Sequence, residues 1–121
     1  MSSDSVPSAL AALSDRPRLR IAAMLLDGEL CVGDLVSLLD APQPTVSRHL
    51  AVLRASGLIV ARKSAAWSFY SLARASSPFE RALHQFLGSC VEADKDLHKD
   101  RQQAKKLARR GGCCPGVARR R

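Results

Sequence analysis

The apolar positions of the chain recur with a helical period over most of its first half. After a Ser-Asp pair at residues 14–15, which is favourable for a helix N-terminus, an apolar stripe runs through residues 19–26. A shorter amphipathic segment covers about residues 32–39. Another begins near residue 43 and stops at Ser56–Gly57, where glycine favours a helix end. With the Ala/Leu-rich residues 5–13, these patterns predict four short helices.

The period then changes from that of a helix to that of a strand. Residues 58–62 and 67–72 have strand composition, and residues 63–66 are expected to form the hairpin loop between them. Residues 76–78 begin a last helix that is expected to continue to about Arg110. We expect that helix to pair two subunits through three apolar side chains: Leu83, Phe86 and Leu87.

Two short helices followed by a hairpin predict the fold class. It is mainly α with a small β-hairpin, a winged helix-turn-helix that dimerises through its terminal helices. Residues 1–110 are expected to form one DNA-binding and dimerisation domain, and residues 111–121 a basic, cysteine-containing tail.

Composition narrows the class of protein further. Hydrophobic residues make up 46% of the chain and charged residues 25%, as in a soluble globular domain. The sequence lacks an apolar run of about 18 residues and a signal-peptide pattern at its beginning, so we expect a cytoplasmic protein without membrane contact. Its four cysteines are then expected to be reduced thiols. No set of residues with the spacing of a catalytic site is present, and an enzyme is not expected.

The distribution of charge points to an anionic partner. The net charge is +8, and all of the excess lies in residues 101–121, which carry eight basic residues and no acidic one. Within the otherwise neutral body, residues 41–81 hold six basic residues against Glu80 alone. A basic segment inside a neutral domain favours nucleic acid as the partner, although a solvated surface with a charged tail would show the same composition.

The helix predicted from residue 43 has the pattern of a DNA-recognition helix. At 100° per residue, Val46, Leu50 and Leu53 share an arc of about 60° that should face the core. The opposite face carries small or hydrogen-bonding residues and no acidic one, which suits base edges in the major groove. The candidate DNA contacts on this helix are Gln43, Pro44, Thr45, Ser47, Arg48 and His49. His49 lies beside the apolar arc, so a packed histidine is an equal alternative.

Two further cations lie on the predicted wing. Arg62 and Lys63 are expected to meet phosphates, which adds affinity but no choice of sequence.

Four segments of the chain resemble the ArsR/SmtB family of repressors: residues 13–21, 28–35, 43–50 and 53–58. The resemblance covers about residues 8–90. It implies a homodimer that binds a double-stranded DNA operator, represses a resistance operon and leaves the DNA when it binds a metal or metalloid. It also implies DNA contacts at Gln43, Pro44, Ser47 and Arg48.

Three departures from the family pattern stand out. The proline of the usual Asp-Pro-Thr-Arg-Leu motif is shifted to Pro17, and the wing tip is Ser-Ala-Ala at residues 64–66 instead of a charged turn. The third concerns the sensor motif of arsenic-responsive relatives, Cys-Val-Cys-Asp-Leu. Residues 31–35 are Cys-Val-Gly-Asp-Leu, so only Cys31 remains, and a buried hydrophobic role is an alternative for it.

The tail offers a replacement for the missing thiol. Cys113 and Cys114 are adjacent, flanked by glycines and by Arg109 and Arg110, and cations favour the thiolate form. Thiolates select soft partners, and the resemblance implies near-C-terminal cysteine sites in some family members. We therefore expect trivalent arsenic or antimony as the inducer, with no permanent cofactor. A third ligand would come from Cys90 or, as second choice, from Cys31.

Three other functions are compatible with the same fold. Zinc could be sensed, although the family's Asp-x-His start of its zinc site is broken because Ala82 stands where the aspartate is expected before His84. The cysteines could instead form disulfides under oxidants, or the chain could coat DNA without any ligand.

Overall fold

The computed structural model describes residues 5–111 of the 121-residue chain as six helices and three short strands. In chain order these are α1 (Ser5–Leu13), α2 (Arg16–Met24), β1 (Leu30–Cys31), α3 (Val32–Leu39), α4 (Gln43–Ala55), β2 (Ile59–Ser64), β3 (Trp67–Leu72), α5 (Pro78–Ala93) and α6 (Lys95–Arg109). The arrangement confirms the predicted fold class, a mainly helical winged helix-turn-helix. Within residues 5–111, no helix has the length and apolar composition needed to cross a bilayer.

Local sequence signals set the helix boundaries. Asp15 caps α2, since its carboxylate accepts a hydrogen bond from the backbone N–H of Arg18, and Pro17 lies in the first turn. Helix α4 ends just before Gly57, whose φ of 82° is a left-handed conformation that glycine adopts without strain. These are the positions at which the sequence predicted the boundaries.

The core is formed mainly by the inner faces of the helices. Ile21, Leu35, Leu50 and Leu53 are at most 1% exposed and belong to one cluster, against which the sheet packs Leu30 and Ile59. The predicted apolar arc of α4 is therefore confirmed as its buried face.

The sheet differs from the prediction in two respects. It has three strands in the order β1-β3-β2, because Leu30 and Cys31 pair with Tyr70 and Phe69 in a strand too short to show periodicity. The expected loop over residues 63–66 is also shorter. Lys63 and Ser64 continue β2, so only Ala65 and Ala66 form the turn, and Ala65 has a φ of 55°.

The predicted last helix is wrong as one continuous element. It breaks at Asp94, whose backbone is extended, and Asp94 then caps α6 by accepting hydrogen bonds from the N–H groups of Asp96 and Leu97. The carboxylate of Asp94 is also held by Arg16, so a contact distant in sequence fixes the break.

Helix α6 packs back onto α2 and is held mostly by ion pairs. Arg16 contacts Asp94 at 2.7 Å and Arg20 contacts Asp100 at 2.9 Å, while Arg101 reaches Asp27 at 2.7 Å. The apolar part of this contact is small: Leu97 and Ala104 are the buried hydrophobic residues of α6.

The ion pair between Arg16 and Asp94 predicts an acid dependence of stability. Hydrogen bonds from Arg16 lower the pKa of Asp94 from 3.8 to about 2. The charged carboxylate therefore stabilises the fold at pH values above 3.8, and its contribution is lost as the pH falls through about 2. Denaturant titrations should show Arg16→Gln less stable than the parent at neutral pH, with the gap shrinking across this acidic window. A gap that stays constant down to pH 2 would contradict the assignment.

The expected dimer face on α5 needs correction. Leu83 and Leu87 are buried in the chain's own core, whereas Phe86 is 52% exposed. Two of the three predicted contact residues therefore already have an intramolecular role.

Candidate nucleic-acid interface and cysteine sites

Helices α3 and α4 form the helix-turn-helix. The turn between them passes through Asp40 in a left-handed conformation with φ of 51°, which aspartate tolerates better than most residues. Val46, Leu50 and Leu53 of α4 are at most 1% exposed. Burial of this face turns the opposite face of α4 to solvent.

Most of the predicted contact residues of α4 are exposed. Pro44, Ser47 and Arg48 lie on the face opposite the core, Gln43 is exposed at the N-terminal end, and Thr45 is half-buried. The guanidinium of Arg48 donates a hydrogen bond of 3.4 Å to the hydroxyl of Thr45, which holds this exposed cation beside the first turn of the helix.

His49 has a different environment. Its side chain is 21% exposed, and its Nδ1 lies 3.8 Å from a carboxylate oxygen of Asp15, the N-cap of α2. The placement favours the alternative of a packed histidine that joins α4 to α2.

Arg62, which was predicted to meet a phosphate, contacts a carboxylate of its own chain. Its guanidinium donates hydrogen bonds to both carboxylate oxygens of buried Glu29 and lies 4.6 Å above the ring of Phe69. These hydrogen bonds to the Glu29 carboxylate raise the pKa of Arg62. The charge that was expected to meet a phosphate therefore anchors the wing to the segment before β1. Lys63, the neighbouring cation, is exposed.

Sequence reasoning missed Glu29 as a functional partner of the wing. A single glutamate after a glycine gives no sign of burial, since glutamate is usually exposed. Asp94, in contrast, carried a usable signal, because aspartate is a favourable N-cap residue.

Cys31 has a structural position. It is fully buried and caps α3: its sulfur accepts from the backbone N–H of Asp34 at 3.4 Å, and the Asp34 carboxylate accepts from the backbone N–H of Cys31. The thiol thus replaces the serine or threonine of a capping box.

Cys90 lies near the C-terminal end of α5 and is partly exposed. It packs against Ala23, Val91 and Leu97, and burial together with the nearby Asp94 carboxylate raises the pKa of its thiol. A raised pKa leaves a smaller fraction of thiolate at neutral pH.

The other two predicted ligands, Cys113 and Cys114, lie outside the described residues. Across residues 5–111, no three His, Cys, Asp or Glu side chains cluster closely enough to hold a metal ion. His84, His98 and two acidic residues between them, Glu92 and Asp94, therefore form no such group.

The geometry of the helix-turn-helix and wing has counterparts among known regulators. The model of the bacterial regulatory protein arsR family matches residues 15–60. A segment of 61 residues, half of this chain, is 52% identical to the arsenical resistance operon repressor of Escherichia coli K12 and covers 52% of that protein. The chain thus spans about half the length of that curated relative.

Two solved structures have the same fold. Reduced HlyU from Vibrio cholerae N16961 is 40% identical, with a TM-score of 0.63 over 73% of this chain and 90% of HlyU. The DNA-binding domain of Mb0332 from Mycobacterium bovis, described as a homodimeric winged helix-turn-helix, is 25% identical, with a TM-score of 0.62 over 74% of this chain and 80% of that one.

These features define a winged helix-turn-helix protein of the transcription-regulator class. The chain belongs to the ArsR family of bacterial regulatory proteins. The expectation that it is not an enzyme agrees with its relatives, which are transcriptional regulators.

Proposed function

We propose that this chain is a dimeric transcriptional repressor that binds an operator through α4 and the wing. Trivalent arsenic or antimony, captured by cysteine thiolates, releases it from the DNA. The observation that carries the DNA-binding part is the exposed face of α4. Ser47 and Arg48 project there from a helix without any acidic residue, Gln43 is exposed at the N-terminal end of that helix, and the opposite face is buried in the core.

Exposed apolar residues on α1 and α5 support the dimer. Val6 and Leu10 on α1 are 36% and 48% exposed, and Phe86 on α5 is 52% exposed. Burying such residues against a second copy is favourable by roughly 25 cal/mol per Å² of apolar surface. The homodimeric description of Mb0332 points the same way. Two-fold symmetry would place two copies of α4 on successive turns of an inverted-repeat operator.

The environments of the cysteines support a sensor built on the tail. Cys31 is buried and occupied with capping α3, and Cys90 has a raised pKa. The remaining thiols, Cys113 and Cys114, adjoin several arginines, which favour the thiolate that binds soft ions. Partial exposure ranks Cys90 above Cys31 as the third ligand. The Escherichia coli relative is an arsenical resistance repressor, which favours arsenic as the inducer.

A titration on the chain's own promoter fragment tests this function. Arsenite, methylarsenite, antimonite, zinc and peroxide are added separately to the protein–DNA complex. Release by the arsenicals or antimonite at stoichiometric concentration is expected. Release by zinc or by peroxide alone would identify a zinc or redox sensor, and retention under all five would identify a protein that binds DNA without a ligand.

Trp67 is a built-in reporter of wing contact. It is the single tryptophan, lies directly after the two-residue turn of the wing and is 37% exposed. If the wing touches DNA, saturating operator should shift the Trp67 emission and reduce its quenching by acrylamide. Trp67→Phe provides the dark control. Quenching that stays the same with operator bound would show that the wing tip remains in solvent.

The charges of the tail are expected to add affinity without sequence choice. Deleting residues 115–121 removes Arg119, Arg120 and Arg121 but keeps both tail cysteines. Nonspecific binding should weaken, and the slope of log K against log salt should fall in magnitude by up to about 2.7. Arsenic should still release the truncated protein. An unchanged slope in salt titrations would mean that these arginines do not contact DNA.

A further inference from the structure

A concave groove separate from the candidate DNA interface runs between α2, α3 and α6. Its volume is about 610 Å³, within the range of small-molecule sites. One stripe of α6 and the C-cap that follows it face the groove, with Lys99, Gln103, Lys106 and Arg110 recurring at helical spacing. The opposite wall is formed by Arg16 and Arg20 of α2 and by Ser37 and Leu38 of α3.

Among the described residues, five cationic side chains and only two carboxylates, those of Asp96 and Asp100, line the groove. Arg16 is paired with Asp94 and Asp96, and Arg20 with Asp100. Lys99, Lys106 and Arg110 have no ion-pair partner among residues 5–111. Lys106 and Arg110 lie four positions apart, so their like charges repel one another, and a bound anion would relieve that repulsion.

We propose that this groove binds a small organic anion carrying two or more carboxylate or phosphate groups. The three unpaired cations would meet the oxyanions, Ser37 and Gln103 would supply neutral hydrogen bonds, and Leu107 would contact the apolar part of the ligand.

Other occupants fit the groove less well. No described residue of α4 or the wing lines it, so DNA lying on those elements would not fill it. The residues after Gly111 carry three arginines and no acid, so the tail has the wrong charge. The helices proposed for the dimer, α1 and α5, contribute no described lining residue, and a second copy docked there would leave the groove open.

Ligand binding in this place would join α6 to the helix-turn-helix. The groove is lined by α6 on one side and by α3, the first helix of the motif, on another. An anion that contacts both sides binds only while α6 is docked, so it stabilises the folded state and raises the melting temperature.

Calorimetric titration and thermal unfolding of the reduced 121-residue protein, without DNA or arsenic, test the proposal. Citrate and pyrophosphate serve as probes in metal-free buffer, with NaCl at equal ionic strength as the reference. We expect saturable binding and a higher Tm than in NaCl. Lys106→Gln with Arg110→Gln should weaken binding by about tenfold or more for each lost charge-assisted contact.

Matched variants separate the groove from the general charge of α6. Lys95→Gln with Arg109→Gln removes the same charge from exposed positions outside the groove and should leave probe binding unchanged. If the Lys106→Gln/Arg110→Gln protein does not fold, Gln103→Glu serves as the test variant. Its negative charge in the groove should weaken probe binding. Gln102→Glu on the exposed side is its control.

Two results would overturn the proposal: absence of saturable binding by both probes, and equal weakening of probe binding in the groove and control variants. Because these titrations contain neither operator nor inducer, their failure would leave the proposed repressor function untouched.

Discussion

Replacing both Cys113 and Cys114 with serine is expected to produce a repressor that binds its operator but no longer leaves it with trivalent arsenic. Serine keeps the size of the side chain but offers no soft thiolate, so affinity for a soft ion should collapse. DNA binding should persist, because the tail lies outside α3, α4 and the wing. Gel-shift titrations of parent and double variant with arsenite and methylarsenite provide the measurement.

The other two cysteines then define the ligand set. Inorganic arsenite prefers three thiolates, and a methylated arsenical needs two. Cys90→Ser should therefore abolish the response to arsenite if Cys90 is the third ligand, and leave the response to methylarsenite intact.

Cys31→Ser is the matched control for the cysteine variants. Serine is a favourable N-cap residue and can keep the capping box with Asp34, so fold, DNA binding and release should all be retained. The tail-sensor hypothesis fails if the Cys113→Ser/Cys114→Ser protein dissociates normally with either arsenical.

Removing the cation of the recognition face should cause the second large effect. Arg48→Ala is expected to weaken operator binding by about 1–3 kcal/mol, or roughly 5–150-fold, since it removes the one cation among the predicted base contacts. Ser47→Ala should act in the same direction. The exposed position of Arg48 means that its loss leaves no buried group unpaired, so folding and dimerisation should not change.

Arg54→Ala provides the control on the same helix. Arg54 is exposed in the last turn of α4, away from the N-terminal residues expected to contact bases. Its loss removes the same charge, so it should lower affinity for operator and scrambled DNA alike. Fluorescence anisotropy on both DNAs separates the cases. If Arg48→Ala binds the operator as tightly as the parent, the recognition face has been assigned to the wrong residues.

Local patterns were enough to predict the helix-turn-helix. The boundaries of α2 and α4 depend on Asp15 and Gly57, whose effects act within one helical turn. The buried arc of α4 follows from helical period alone, and so does the joint exposure of Pro44, Ser47 and Arg48. These features can be predicted from the sequence because each interacting group lies within a few residues of its partner.

The wing and the last helix could not be predicted in the same way. Arg62 and Lys63 are adjacent cations, and nothing in the sequence distinguishes them as phosphate contacts. In the structure the carboxylate of Glu29, 33 positions before Arg62, binds Arg62. A buried carboxylate needs a partner, and only the folded chain shows which cation comes within reach.

The sequence by itself determined the class of fold, the core face of α4 and the polar face opposite it, because helical period and capping are local properties. Tertiary structure decided which charges remain available to a ligand. Arg16 and Arg20 are paired with acids about 80 residues away, whereas Lys99, Lys106 and Arg110 face the groove and have no ion-pair partner among residues 5–111. Ion pairing depends on distance in space, and only the docking of α6 on α2 sets those distances.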